Sequence, residues 1–185
     1  MNNFNKKKFF NIVKSYNSIL DYGCGYGVLN SSKKKIFLFD PDKKLFLLLK
    51  KKYKNNNLFK ILRKPKFKNI DVFFMNSVLQ YLTIKELNFL KKKMKNFKIV
   101  IISDIPRYSR LIEAFVLLLT NPKRLLHGII NIITKKEPYT KLPFSTYSHT
   151  KIRKIFKNYN IKFLVNLDNA KFSRYAIILK INWLN

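Results

Sequence analysis

Three glycines follow an aspartate in the stretch ILDYGCGYGVLN, and their spacing is typical of a turn that holds a ligand. The chain has four glycines in all, and Gly23, Gly25 and Gly27 stand at every second position after Asp21. Glycine adopts backbone conformations that other residues avoid, and it lets the main chain approach a ligand closely. The sequence therefore predicts a turn in which the Asp21 carboxylate lies beside a closely held ligand.

Two further carboxylates stand at the ends of apolar runs. Asp40 ends the run KIFLFD, and Asp104 follows the run FKIVIIS, in a chain with only nine acidic residues. Ligands of open parallel sheets bind outside the carboxyl ends of the strands. Asp40 comes 19 residues after Asp21, where an acid in a dinucleotide site takes the hydroxyls of a ribose. We therefore expect Asp21, Asp40 and Asp104 to share one edge of a sheet.

The elements that must position these residues alternate between β-rich and helical runs, which predicts an open α/β sheet. A helix begins after Asp42, which is a plausible N-cap, and one or two more lie within 77–96. The predicted strands in this half are 18–22, 35–40, 58–63, 70–76 and 97–106. Two apolar helical segments and a loop occupy 107–149. A helix over 150–159 and an antiparallel hairpin, formed by 161–168 and 173–181, close the chain.

The motif ILDYGCGYG resembles the first motif of class I S-adenosylmethionine-dependent methyltransferases, a hydrophobic strand followed by acid-x-G-x-G-x-G. Dinucleotide-binding domains have the spacing G-x-G-x-x-G, and a phosphate there would be repelled by Asp21. The resemblance covers about 16–106 and 147–181. It implies a Rossmann-like, open, seven-stranded and mostly parallel sheet with a C-terminal antiparallel hairpin and helices on both faces. It also implies one methyltransferase domain over 1–185, with a helical insertion or lid at about 107–149.

The resemblance also implies which residues bind S-adenosylmethionine. The glycines would line its methionine and ribose parts. Asp21 would organise the turn and bind the amino group, and Asp40 would bind the ribose hydroxyls. Side chains at the end of the fourth strand would lie beside the methyl group. Asp21 as a plain turn acid and Asn76 as a helix cap are the alternatives. The full cofactor set is Asp21, Gly23, Cys24, Gly25, Gly27, Asp40, Pro41, Asn76 and Ser77.

A general base is the second part of the expected site. His149 and Asp104 are the catalytic candidates, with His127 a further histidine, because an oxygen or nitrogen acceptor has a proton to lose. A loop or capping role is the alternative for His149. Tyr139, Tyr147 and Arg107 are candidates for the pocket wall.

The sequence departs from the family at the adenine end. Many members place an acid after strand three, but this chain has no acid between Asp42 and Asp71. Backbone carbonyls or Asn69 would have to hold the adenine amino group instead.

The net charge of +30 fits either an anionic partner or a coding bias. Lysines outnumber arginines 33 to 6, whereas phosphate-binding surfaces often use the bidentate arginine fork. The expected function is methyl transfer to a small-molecule acceptor by direct displacement. The alternatives are an RNA-modifying methyltransferase, for which nucleic acid would be the partner, and a non-catalytic cofactor-binding relative.

Location and further partners complete the expectations. The apolar segments within 107–134 could contact a membrane peripherally. The single cysteine, Cys24, excludes an internal disulfide and a cysteine-cluster metal site. The first residues lack an apolar leader pattern, so a cytoplasmic location is expected.

Overall fold

The computed structural model describes residues 6–27, 29, 33–107, 145–164 and 174–181, and six single positions between 115 and 126. Its helices are α1 (Lys6–Ile12), α2 (Lys43–Lys52), α3 (Ile84–Met94) and α4 (His149–Ile155), with a 3-10 turn at Leu79–Tyr81. Its strands are β1 (Ser18–Tyr22), β2 (Lys35–Phe39), β3 (Phe59–Leu62), β4 (Val72–Asn76), β5 (Ile99–Pro106), β6 (Tyr159–Leu164) and β7 (Arg174–Ile181).

The seven strands form one sheet in the order β3-β2-β1-β4-β5-β7-β6. Strands β1 to β5 are parallel, while β7 pairs antiparallel with both β5 and β6. The order reverses between β1 and β4, which is where open α/β sheets bind ligands. The expected Rossmann-like sheet with its antiparallel C-terminal pair is confirmed.

Apolar side chains alternate between the two faces of the sheet, and helices cover both. Leu20 and Phe73 pack in one core cluster with residues of α3 and α4. Their neighbours Ile19 and Val72 pack in the other cluster with residues of α1 and α2. The strands are therefore buried on both sides, as a parallel sheet requires.

Asp71 ties three strand beginnings together at the amino edge of the sheet. Its Oδ2 accepts hydrogen bonds from the backbone N–H groups of Asn17 and Ser18, at 3.0 and 3.2 Å. Its Oδ1 lies 2.8 Å from Nζ of Lys98, just before β5. This carboxylate therefore joins the starts of β1, β4 and β5.

One helix was not predicted, and one boundary expectation was wrong. Helix α1 was not anticipated, because its sequence KKKFFNI has no acidic residue in its first turn and begins with three lysines. Strand β6 begins at Tyr159, inside the helix expected over 150–159, and α4 itself ends at Ile155. Ile152, Phe156 and Tyr159 are all buried at helical spacing, so the apolar pattern runs on past the end of the helix.

The insertion expected at about 107–149 lies mostly outside the described residues, as do His127 and Tyr139. The six single positions described between 115 and 126 are helical, and Phe115, Leu118, Leu119 and Leu126 among them are exposed. In the part of the chain that the structure describes, no helix is long and apolar enough to cross a membrane.

Candidate functional site

The glycine turn folds over the carboxyl end of β2. Gly23, Gly25 and Gly27 all have positive φ, at 69°, 54° and 73°. The N–H groups of Gly23 and Cys24 both donate to the carbonyl of Phe39, at 2.8 and 3.1 Å. Because positive φ is strained for residues with a Cβ, the spacing of the glycines follows directly from the path of the chain.

The three glycines differ in what a side chain would meet. A Cβ at Gly23 would lie 2.5 Å from Cγ2 of Val78, and one at Gly27 would lie 2.8 Å from the Tyr53 hydroxyl. A Cβ at Gly25 would have no described atom within 4 Å. The turn is thus packed against protein at both ends and open in the middle, where a ligand can contact the backbone.

Asp40 fixes the turn to the start of α2. Its Oδ2 accepts from the N–H of Gly25 at 2.9 Å, and its Oδ1 accepts from the N–H of Asp42 at 2.9 Å. Each oxygen keeps a lone pair for a further donor. Asp42 itself caps α2 by accepting from the N–H of Lys44, as expected, and Pro41 between the two acids is exposed.

Asp21 is a buried carboxyl with an unsatisfied oxygen. It is 1% exposed, and among the described residues its Oδ2 has no hydrogen-bond partner. Burial, and secondarily the charge of Asp40, raise the pKa of Asp21 to about 8. A buried polar atom without a partner is costly. The unsatisfied Oδ2 can therefore accept a hydrogen bond from a ligand group that donates one.

Cys24 contributes its backbone to the turn, whereas its side chain points into the core. It is 5% exposed and packs in the cluster that contains Phe74 and Leu29. Burial, followed by the charges of Asp21 and Asp40, raises the pKa of the thiol. The thiol is therefore neutral and enclosed in this structure.

The ends of β4 and β5 are joined by side chains. The Asn76 Oδ1 accepts from the Ser103 hydroxyl at 2.5 Å, and the Ser77 hydroxyl donates to Oδ2 of Asp104. Both Ser77 and Asp104 have positive φ, at 58° and 57°, and a register shift interrupts β5 at this point. Left-handed non-glycine residues are uncommon and cluster at functional sites.

Sequence reasoning missed two polar side chains here. Arg174, at the start of β7, lies 2.9 Å from Oδ2 of Asp104, and both side chains are partly buried. Gln80 is 1% exposed, and its Nε2 donates to the carbonyl of Ser77 at 2.9 Å. Its Oε1 has no partner among the described residues. Arg174 pairs across 70 residues, so only the tertiary structure reveals that contact.

Tyr147 anchors the start of α4, and its hydroxyl is engaged within the core. Its N–H donates to the carbonyl of Pro106, and its hydroxyl donates to the carbonyl of Leu79. Tyr147 is 3% exposed, so the expectation that it lines the pocket wall is not supported by its position. It brings the next residues, Ser148 and His149, to the carboxyl end of β5.

His149 packs against two aromatic rings at this edge, which also contact each other. Its ring centroid is 4.4 Å from that of Phe163 and 4.7 Å from that of Tyr175. Burial, followed by the positive charges of Arg107 and Arg153, lowers its pKa. The imidazole is therefore neutral at neutral pH and able to accept a proton.

Asn69 lies away from the residues above. It precedes Ile70 and the amino end of β4, whereas the turn and Asp40 lie at the carboxyl edge of the sheet. The suggestion that Asn69 holds an adenine amino group is therefore not supported by the fold. Among the residues that the structure describes, no group of three or more histidine, cysteine or acidic side chains is placed to hold a metal ion.

The architecture is shared with solved methyltransferases. Magnesium protoporphyrin IX methyltransferase (ChlM) from Synechocystis PCC 6803, solved with bound SAH, has a TM-score of 0.61 and 13% identity over 95% of this chain and 82% of its own. The methyltransferase domain of bacterial CtHen1 has a TM-score of 0.62 and 15% identity over 95% of this chain and 96% of its own. A SAM-dependent methyltransferase from Aquifex aeolicus has a TM-score of 0.61 and 15% identity over 97% of this chain and 90% of its own.

At these identities the likeness shows the fold, which is that of class I methyltransferases. No protein-family model matches the chain, and no curated protein matches it.

Proposed function

We propose that the protein is an S-adenosylmethionine-dependent methyltransferase that acts on a small-molecule acceptor. The observation that carries the proposal is the open centre of the glycine turn at Gly25, whose N–H donates to Asp40, together with the buried Asp21 Oδ2, which has no partner among the described residues. These groups meet where the strand order reverses, in a fold shared with methyltransferases.

The chain's residues fit two polar parts of this cofactor, the amino group of its methionine and the hydroxyls of its ribose. Asp21 would accept from the cofactor's amino group, whose positive charge favours the carboxylate over the protonated acid, and this would supply the partner that its Oδ2 lacks among the described residues. Asp40 would accept from the ribose hydroxyls with the lone pairs left by its two backbone bonds. The backbone of Gly25 would contact the cofactor directly, because no described side chain lies within 4 Å of a Cβ built there.

The chemistry is a direct displacement that needs chiefly alignment. When bound, S-adenosylmethionine supplies a methyl group on a sulfonium, which passes to the acceptor's lone pair while the sulfur keeps the electrons of the broken bond as a thioether. Asn76 and Ser77, held by Ser103 and Asp104, would border the transferring methyl.

His149 is the better of the two candidate bases for the acceptor's proton. Its pKa is lowered by burial and by Arg107, so the imidazole is neutral and can accept the proton at neutral pH. Asp104 already accepts on Oδ2 from Ser77 and from the charged Arg174. We therefore assign Asp104 the positioning of Ser77, and not proton removal.

The choice of a small acceptor over RNA rests on where the lysines gather. An RNA substrate would need a basic surface continuous with the carboxyl edge, where the turn lies. At that edge the described residues include Arg107 and Arg153 near His149, whereas a concavity bordered by five lysines lies at the amino edge, between α3 and β6.

Isothermal calorimetry with S-adenosylmethionine and with its demethylated product tests the proposal. The wild-type chain should bind both, and Asp40→Ala should weaken binding at least about tenfold, the equivalent of one charge-assisted hydrogen bond. Asp42→Ala is the matched control, because it removes a neighbouring acid that caps α2 and should leave affinity unchanged.

Two results would contradict the proposal. The absence of binding heat with either compound would exclude a cofactor site. Equal losses in the Asp40 and Asp42 variants would show that the assignment of the ribose to Asp40 is wrong.

A further inference from the structure

A concave surface lies between the C-terminal end of α3 and the turn from α4 into β6. It encloses about 390 Å³, and five lysines border it. No carboxylate occurs among its described lining residues. We call this surface the lysine cleft; its lysines are Lys91, Lys92, Lys95, Lys154 and Lys157.

The concentration of charge in the cleft exceeds what the composition provides. Five of its nine lining residues are lysine, whereas lysine and arginine together make up 39 of the chain's 185 residues. The lysines come from two segments that are distant in sequence, the end of α3 with the residue after it and the end of α4 with the turn that follows. Folding therefore gathers positive charge here from two parts of the chain.

The cleft lies at the opposite edge of the sheet from the glycine turn. Helix α3 leads into the amino end of β5, and β6, which starts beside the cleft, runs in the same direction as β5 because both pair antiparallel with β7. A strand of eight residues spans about 26 Å, at roughly 3.3 Å per residue. The cleft is therefore separate from the proposed methyl-transfer site.

The two walls of the cleft are fixed to each other without a ligand. The hydroxyl of Tyr159 donates to the carbonyl of Lys91 at 3.0 Å, which ties β6 to α3. The Tyr159 ring also packs edge-on against the buried Phe156, with 5.9 Å between centroids. A concavity held in this way does not have to be formed on binding, which lowers the cost of association.

We propose that the lysine cleft binds the phosphate backbone of a single-stranded nucleic acid, as a docking site distinct from the methyl-transfer site. Lysine contacts phosphate as a mobile point charge, and the described lining residues include no arginine fork that could read base edges. Contacts of this kind position a strand without selecting its sequence.

The shape and the apolar content of the cleft favour a strand over a lipid surface. Peripheral membrane binding commonly combines basic residues with protruding apolar side chains. Here the lining is recessed, and its aromatic residue, Tyr159, is 7% exposed. With that ring enclosed, base stacking contributes little, so binding should be electrostatic and strongly dependent on salt.

The test is fluorescence anisotropy of a labelled, short single-stranded RNA of mixed sequence, titrated with the full chain over a series of salt concentrations. The double variant Lys92→Gln with Lys154→Gln removes one lysine from each wall. Removal of one lysine–phosphate interaction should reduce the slope of log K against log salt by about 0.7, so the pair should reduce it by about 1.4. A single-stranded DNA of the same sequence should give the same change in slope.

The matched control is Lys50→Gln with Lys51→Gln in α2. These lysines occupy the last turn of a helix, as Lys92 and Lys154 do, so both variants lose the same charge and the same interaction with a helix terminus. The control pair should leave the slope unchanged. Circular dichroism melting of both variants checks that each is folded.

Three outcomes would overturn the proposal. Equal slope changes in the cleft and control pairs would show that the +30 charge binds diffusely. The absence of RNA and DNA binding at low salt would show that the cleft has no such ligand. Phosphatidylserine vesicles titrated with the same variants form the last arm of the test: vesicle binding that the cleft pair loses, with RNA binding unchanged, would identify a membrane as the partner instead.

Discussion

At the scale of single residues, the glycine turn separates the cost of backbone strain from the cost of steric overlap. Gly23 and Gly25 have similar positive φ, but a Cβ would meet Val78 at the first and no described atom within 4 Å at the second. Substitution at either position therefore carries the same conformational penalty. Only the first also carries a steric one.

We expect Gly25→Ala to cost about 1–2 kcal/mol of stability, the penalty for left-handed backbone, yet to reduce cofactor binding strongly, because its Cβ enters the open centre of the turn. Gly23→Ala should cost more, because the Cβ lies 2.5 Å from Val78. Urea unfolding gives the stabilities, and calorimetry gives the affinities. If Gly25→Ala bound the cofactor normally, the open centre would not be the ligand site.

The buried carboxyl of Asp21 should make stability fall as pH rises. Its pKa is raised from 3.8 to about 8, so between these values the folded state holds a proton that the unfolded state releases. Each pH unit between these values lowers the free energy of unfolding by about 1.4 kcal/mol. Wild type should therefore lose at least that much between pH 5 and pH 8 relative to Asp21→Asn, measured by urea unfolding.

Asp42→Asn is the control for that comparison, because Asp42 is exposed and asparagine also caps helices well. It should retain the wild-type pH dependence. If Asp21→Asn and wild type had parallel pH profiles, Asp21 would be ionised in the folded state and the burial argument would fail.

At the scale of elements, local signals set several boundaries. Thr83 and Glu86 form a reciprocal capping box at the start of α3: the Thr83 hydroxyl accepts from the N–H of Glu86, and the Glu86 side chain accepts from the N–H of Thr83. Two of the unpaired donors at a helix start are satisfied in this way. This helix packs Leu87, Leu90 and Met94 against the sheet.

Thr83→Ala should therefore destabilise the protein by about 1 kcal/mol, because it removes the cap. Thr83→Ser keeps the hydroxyl and should recover most of that loss. Both values come from chemical denaturation. An alanine variant as stable as wild type would mean that water replaces the cap without cost.

The parts of the fold that could be predicted are those with local signals. The strands ending in Asp21 and Asp40 follow from apolar runs, and the turn follows from glycine spacing. The start of β6 was missed because Tyr159 continues the helical period of α4. The pairing of Ser77 and Arg174 with Asp104 spans 27 and 70 residues, so no local pattern predicts it.

At the scale of the whole molecule, charge is the dominant feature. The net charge is +30, and the described residues contain two salt bridges, Lys98–Asp71 and Arg174–Asp104. Most of the positive charge is thus not neutralised by ion pairing within those residues. Self-repulsion of this kind opposes the compact state.

Added sodium chloride should consequently stabilise the protein, because it screens the repulsion over a Debye length of about 10 Å at 0.1 M. We expect the melting temperature to rise by at least about 2 °C between low and physiological salt, the shift that 1 kcal/mol produces in a domain of this size. Calorimetric melting measures it. A melting temperature that stays constant or falls would show that the charges are too far apart to repel.

The enclosed side chain of Cys24 makes opening of the turn measurable by reaction kinetics. It is the chain's single thiol and is 5% exposed, so an alkylating reagent has one target and reaches it only when the turn opens. The rate of modification then reports how often that local opening occurs under native conditions. A ligand that holds the turn closed would slow the reaction in proportion to its occupancy, so that affinity could be read from a mass spectrum without any knowledge of the acceptor.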